Sequence, residues 1–347
     1  MSEYNMEEIF MEKKLLKRSL TFAMMIAVVF STIIASSLIK ANAAETEKAV
    51  TLIQGEKTSQ YDTVQEAVAA VSADKTQAVI TLNKDFEGAG AVVKKDQNIV
   101  FNLNGFTWTI NSLVGSSGTE TNGVQLLQGS TVTIENGTLT SKTASKLIQN
   151  YCDLTIRNAT LSGQDNLTEI IVSNNNGSTV ITGNSTVQAA AGGIAFDSDK
   201  WGGYQGGNVT LEDGQVIGNV NATNGGKISL NGGTVTGDVI ASNYTYQGNE
   251  KTPANIVIDG ATINGNVTAQ NVGNISISSG TVTGLVSSES ASPVAVTGGV
   301  FHTALGENVD ISAAEYVASV ESNGQAKTVV GKTDFDAAVQ SLKSGET

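Results

Sequence analysis

The stretch "NGGTVTGDV" (231–239) has near copies at "EDGQVIGNV" (212–220), "DGATINGNV" (259–267) and "SSGTVTGLV" (278–286). Gly214, Gly233, Ala261, Gly280 and Gly299 are equivalent, spaced 19, 28, 19 and 19 residues apart. Nineteen residues are too few for a helix pair or an ordinary strand–helix leucine-rich unit. They fit one coil of three short strands joined by tight turns.

The columns of the repeat support that reading. One strand supplies Val209, Ile228, Ile256, Ile275 and Val294, and two residues on, Leu211, Leu230, Ile258, Ile277 and Val296. The second supplies Val216, Val235, Ile263, Val282 and Phe301. The third supplies Val220, Val239, Val267 and Val286, then Ala222, Ala241, Ala269 and Ser288. Of these 23 positions 22 are apolar, in a chain that is 40% hydrophobic, so the columns mark an interior. Between them stand Thr210, Ser229, Ser276, Thr236, Asn221 and Thr268, the period-two alternation of a strand with one face inside.

Strands of about three residues gain stability only by pairing with the coils above and below, at about 4.8 Å. The expected fold is therefore all-β, a parallel β-helix of about nine or ten coils. Glycines 232, 233 and 237 are expected to turn the chain at two corners. Asn219, Asp238 and Asn266 share one corner, where their side chains can satisfy backbone groups. Less regular coils read at 98–110, 130–140, 152–163 and 178–188.

A solenoid of strands exposes raw edges and core at its ends. Val64, Ala67, Val68 and Val71 lie on one face of a helix near 63–73, with Thr63 or Asp62 able to cap it. That helix is expected to plug the N-terminal end of a solenoid spanning 44–330. The segment 331–347 repeats the pattern, with Phe335, Ala338, Val339 and Leu342 on a face. It reads either as a lid or as the start of a second module.

Residues 1–43 look like an export signal. "KKLLKR" is a basic leader, an apolar core follows, and Ala41-Asn42-Ala43 fits a small-residue cleavage site. The apolar stretch also has the length of an uncleaved anchor. With its five basic and four acidic side chains removed, 15 basic and 29 acidic remain, a net charge of −14. Such a chain repels polyphosphates, so no nucleic-acid partner is expected. The lone cysteine, Cys152, forms no internal disulfide and reads as a buried small hydrophobe.

"YDTVQEAVAAV" (61–71), "AVITLNKDF" (78–86) and "NIVFNLNGFTWTI" (98–110) resemble the opening of secreted bacterial proteins of the pectin-lyase-like superfamily. "VTGGVF" (296–301) and "DISAAEYVASVESNGQAKTVV" (310–330) are similar to their closing segment. The resemblance covers about residues 50–347 and implies a right-handed parallel β-helix with a capping helix, of the non-catalytic, adhesin-like type. The architecture carries lyases, hydrolases, adhesins and inert stalks alike, so it leaves activity open.

Catalysis on this fold needs clustered carboxylates, or, as the resemblance implies for lyases, an Arg or Lys base with calcium-binding acids. Beyond the leader Arg157 is the only arginine and His302 the only histidine, and both read as solvated surface residues. Asp197 and Asp199 in "DSDKWGGY" (197–204) read either as part of a solvated loop or as partial ligands for calcium. No triad, phosphate loop or metal–histidine spacing is present.

Two corners are enlarged, by 197–207 and 243–254, and they carry Trp201, Tyr204, Tyr244 and Tyr246. These rings lie about 10 Å apart along one edge. They can stack on the sugars of a glycan, or fold back and hold the loops down. Trp108 falls in the inward column of Val235 and reads as core. The function expected is an exported, non-catalytic protein that binds a glycan or a surface protein along one edge. A bare structural spacer is the first alternative and a polysaccharide lyase or glycoside hydrolase the second.

Overall fold

A computed structural model describes residues 48–163, 168–200, 202–243, 252–322 and 324–343, all within the unit Lys48–Thr347. The expectations for residues 1–43 lie outside the described residues. The fold is all-β and solenoid-like, with parallel strands stacked coil on coil in a 21-stranded sheet and a 10-stranded sheet. Each complete coil places two strands in the large sheet and one in the small sheet.

The columns read from the repeat are the rows of the stack. Val209, Ile228, Ile256 and Ile275 are successive partners, as are Leu211, Leu230, Ile258, Ile277 and Val296. Val216, Val235, Ile263, Val282 and Phe301 form the second row. Val220, Val239, Val267 and Val286 form the third, with Ala222, Ala241, Ala269 and Ser288 beside them. Every one of these side chains is buried. At the rate of 25 cal/mol per Å² of apolar surface, each buried Val, Ile or Leu contributes about 1.5–3 kcal/mol. Trp108 continues the second row through Leu139, Leu161 and Val187 to Val216, and its ring lies 5.6 Å from that of Phe101.

The corner between the large and small sheets shows how the turns are held. Asn219 Oδ1 accepts from the Asp238 N–H at 3.0 Å, and Asp238 Oδ1 accepts from the Asn266 N–H at 2.8 Å. Asn266 Oδ1 accepts in turn from the Leu285 N–H at 2.9 Å. Gly237 adopts φ 152°, and a Cβ there would stand 2.3 Å from the Gly218 carbonyl oxygen. Gly233 has φ 70°, as a turn residue should. Gly232, expected to use the same freedom, does not have a positive φ; close approach excludes a side chain there, because a Cβ would meet the Glu212 carbonyl at 2.4 Å. In the coil that carries Ala261 the left-handed residue is its neighbour Gly260, φ 114°, and the register shifts locally to accommodate it.

The N-terminal end is closed by a hairpin, Val50–Gln54 with Lys57–Tyr61, followed by helix α1, Val64–Ala70. Thr63 is its N-cap: Thr63 Oγ1 accepts from the Glu66 N–H at 3.1 Å and Glu66 Oε2 accepts from the Thr63 N–H at 3.2 Å. Val64, Ala67 and Val68 are buried, as is Val71 just past the helix. The other end has a second hairpin, Val317–Ser322 with Gln325–Val330, and helix α2, Lys332–Ser341. Among the described residues no helix is long and apolar enough to cross a membrane.

Candidate functional site

The small sheet changes character along its length. The strands Lys146–Asn150, Ile170–Asn174, Ile194–Ser198 and Asn219–Ala222 stack in parallel. Their inward row runs Asn150, Asn174, Ser198, Ala222, so two buried amides occupy the positions that alanine takes further on. A buried amide needs partners for all its polar atoms. Asn150 Nδ2 donates to Asn174 Oδ1 at 2.6 Å and to Thr179 Oγ1 at 3.0 Å, and Asn150 Oδ1 accepts from the Cys152 N–H at 2.9 Å. Thr179 Oγ1 donates to Asn174 Oδ1 at 2.9 Å, and Asn174 Nδ2 reaches the Asn208 carbonyl at 3.3 Å. The apolar-column reading missed this ladder because it looked only for aliphatic residues. The signal was the constant interval of 24 residues from Asn150 to Asn174, Ser198 and Ala222.

Two rows cross the outer face of the same strands. Gln149, Ser173, Asp197 and Asn221 are in register. Tyr151, Asn175, Asp199 and Thr223 follow two residues later in each coil. Gln149 Nε2 donates to Asn175 Oδ1, and Asn175 Nδ2 donates to Asp199 Oδ1. Thr223 Oγ1 donates to Asp197 Oδ1 at 3.3 Å. Gln149, Ser173, Asn175 and Asp199 are buried, and Asp197 is half-buried. The polar chain thus runs across three coils under cover.

The two aspartates do not lie together in a loop. Asp197 belongs to the strand Ile194–Ser198, and only Asp199 begins the enlarged corner. Ser198 between them points inward, so both carboxyls emerge on the same side. Burial first, and the Asp199 charge second, push the Asp197 carboxyl up to about 7, against the opposing pull of Thr223 and Lys146. Burial also raises Asp199, which Asn175 and Lys146 partly offset. Asn221, next in the row, buries Oδ1 without a hydrogen-bond partner, a spare acceptor beside a carboxyl that is partly protonated near neutrality.

Tyr204, on the enlarged corner, lies against Tyr151, with ring centroids 4.8 Å apart and planes tilted by 37°. Both are half-buried. Burial, Tyr204 and Asp199 push the Tyr151 phenol up to about 12. Trp201, Tyr244 and Tyr246 lie outside the described residues. Around the corner from the aspartates a concavity of about 270 Å³ is bordered by Lys75, Gln97, Tyr151, Cys152 and Asp153; neither Asp197 nor Asp199 lines it.

Among the described residues no three Asp, Glu, His or Cys side chains gather in a way that would hold a metal ion. A calcium reading therefore rests on Asp197 and Asp199 alone, well short of six to eight oxygens. Arg157 stands on the surface and pairs with Glu135 of the preceding coil. His302 is exposed beyond the strand Gly299–Phe301. Cys152 is buried, and burial pushes its thiol up to about 12, which removes it as a nucleophile at neutral pH.

At the surface the arrangement leaves the half-buried Asp197 carboxyl and the half-buried pair Tyr151 and Tyr204, with buried amides behind them. The chain matches no family model, and no curated protein or solved structure is significantly similar to it.

Proposed function

We propose that this chain is an exported, non-catalytic, right-handed parallel β-helix of the pectin-lyase-like, adhesin-like type. It is displayed at or beyond a bacterial surface and binds a glycan or a surface protein along one edge. The enlarged corner carrying Trp201 and Tyr204, and the second carrying Tyr244 and Tyr246, form that edge. One observation supports binding over a bare spacer: the outer face of the small sheet carries an acceptor-rich row, Gln149, Ser173, Asn175, Asp197 and Asp199, in which the Asp197 carboxyl is only half-buried, whereas Tyr204 folds back onto Tyr151 and holds its corner down. A stalk needs no acceptor-rich patch of this kind on its outer face. Sugar hydroxyls and backbone amides are the donors such a patch suits, and a tyrosine face suits a sugar ring.

A glycan and surface-protein array, probed with wild type and Tyr204→Ala, tests this. Binding by wild type that falls at least tenfold in the variant supports the reading. Absence of binding by wild type leaves the spacer in its place.

A second reading, glycoside hydrolysis, draws on two neighbouring carboxyls that burial raises, Asp197 to about 7 and Asp199 in the same direction, since acid–base catalysis uses a carboxyl whose proton is held near neutrality. Release of saturated reducing sugar from pectic or host polysaccharides, lost in both Asp197→Asn and Asp199→Asn, would establish it and overturn the non-catalytic reading.

A further inference from the structure

The two ends of the solenoid carry the same device, and among the described residues a coil packs over only one of the two copies. Each is an antiparallel hairpin closed by a two-residue loop, with register Gln54↔Lys57 in the first and Ser322↔Gln325 in the second. Each loop holds a glycine in the left-handed region, Gly55 at φ 59° and Gly324 at φ 70°. Each hairpin leads within three residues into a helix. Val64, Ala67, Val68 and Val71 share the spacing of Phe335, Ala338, Val339 and Leu342. Both helices end alike: Val71 N–H donates to the Val68 carbonyl, and Leu342 N–H to the Val339 carbonyl, each at 3.3 Å.

Their surroundings differ. In the first copy, Val50–Gln54 takes a second antiparallel partner, Gln77–Leu82, which is the first strand of the following coil. Strands of that coil, Ala91–Val93 among them, pack on α1, and Gln97 Nε2 donates to the Val68 and Val71 carbonyls at 3.0 and 2.9 Å. In the second copy, Gln325–Val330 continues the large sheet by pairing with Gly299–Phe301. Val317–Ser322 then pairs, among the described residues, with Gln325–Val330 alone. Helix α2 packs chiefly on these two strands, is anchored by Asp334 Oδ2 accepting from the Gly299 N–H at 2.8 Å, and buries no residue. Val317 is 49% exposed and Val339 46%.

We infer that the hairpin Val317–Val330 and helix α2 form a docking platform for one further coil of this solenoid type. Its leading strand would lie antiparallel to Val317–Ser322, and its aliphatic residues would cover Phe335, Ala338, Val339 and Leu342. Two observations argue for this occupant. The edge of Val317–Glu321 continues a sheet already established through Gly299–Phe301 and Gln325–Val330. The equivalent edge and helix face at the other end are covered by such a coil within this chain. By that equivalence Ala318 and Val320 would face positions like Leu82 and Ile80.

Two fusions test the inference. In the direct fusion, Lys48–Leu342 runs straight into a second copy of residues 72–347, so that a coil follows α2 as one follows α1. In the control fusion the second copy begins at Lys48 and brings its own hairpin and helix. Val339→Cys in the first copy provides a reactive thiol, since Cys152 is buried. Maleimide labelling is expected to be at least tenfold slower in the direct fusion than in the single unit, and unchanged in the control. Val257→Cys, on the side of the solenoid and 41% exposed, should label at one rate throughout. Equal Val339→Cys rates in the two fusions overturn the inference. So does a direct fusion that gains no β-sheet signal while the control gains it. Slower labelling of the single unit at high concentration, with a doubled mass in sedimentation, overturns it in favour of self-association.

Discussion

Coils 146–222 and coils 227–288 share one small sheet but fill it differently. In the later coils the inward row beside the valines is Ala241 and Ala269, then Ser288, and the chain returns every 19 or 28 residues. In the earlier coils the same row is Asn150, Asn174 and Ser198, and the outer face carries the buried polar chain ending at Asp199. The later coils illustrate what the repeat alone can build. In the earlier ones the inward amides Asn150 and Asn174 are held by hydrogen bonds that reach from one coil to the next.

The largest expected effect comes from exporting the earlier chemistry to the later coils. Ala241→Asn would place an amide among Ala222, Ala269 and aliphatic neighbours, with overpacking and unmet hydrogen bonds together. A loss of about 4 kcal/mol is expected from urea unfolding; a loss below 1 kcal/mol would mean that the two regions are interchangeable. The reverse change, Asn174→Ala, takes the acceptor from the Thr179 hydroxyl and leaves Asn150 Nδ2 only Thr179 Oγ1 and the Cys152 carbonyl, and is expected to lose about 2 kcal/mol.

Next is the pH dependence of Asp197→Asn. The Asp197 carboxyl titrates higher in the folded chain, about 7, than in the unfolded chain, near 3.8, so the folded state holds the proton more tightly. The wild type therefore loses stability as pH rises from about 4 through 7. The variant should match it near pH 4 and exceed it by about 2 kcal/mol at pH 8, a figure reduced for the half-buried position. A difference that grows toward low pH would reverse the assignment. The smallest effect is expected from Arg157→Ala, which breaks a half-exposed pair with Glu135 and should shift stability by about 0.5 kcal/mol, less at high salt.

The comparison also explains what could be read in advance. Val216, Val235 and Val282 announce themselves because burial at a fixed interval keeps that row apolar, from Trp108 to Phe301. Trp108 was recognisable by the same column, although its indole N–H, buried without a partner, follows from no pattern. Asp197, Asp199 and Tyr204 stood out as unusual residues at an enlarged corner. That Asp197 lies within a strand, and that Tyr204 meets Tyr151, depend on contacts between coils some 24–53 residues apart. Asn150 and Asn174 were hidden because an asparagine in a turn-rich chain looks like every other asparagine until its partners are known.

The corner ladder of Asn219, Asp238 and Asn266 has a polarity: the side-chain oxygen always belongs to the earlier coil and the N–H it receives to the later one. A polypeptide delivered amino end first thus finds, at each of these three corners, a preset template for the next bend. Winding in that sense adds one short loop at a time onto a finished surface, whereas winding from the carboxyl end would have to proceed without those guides.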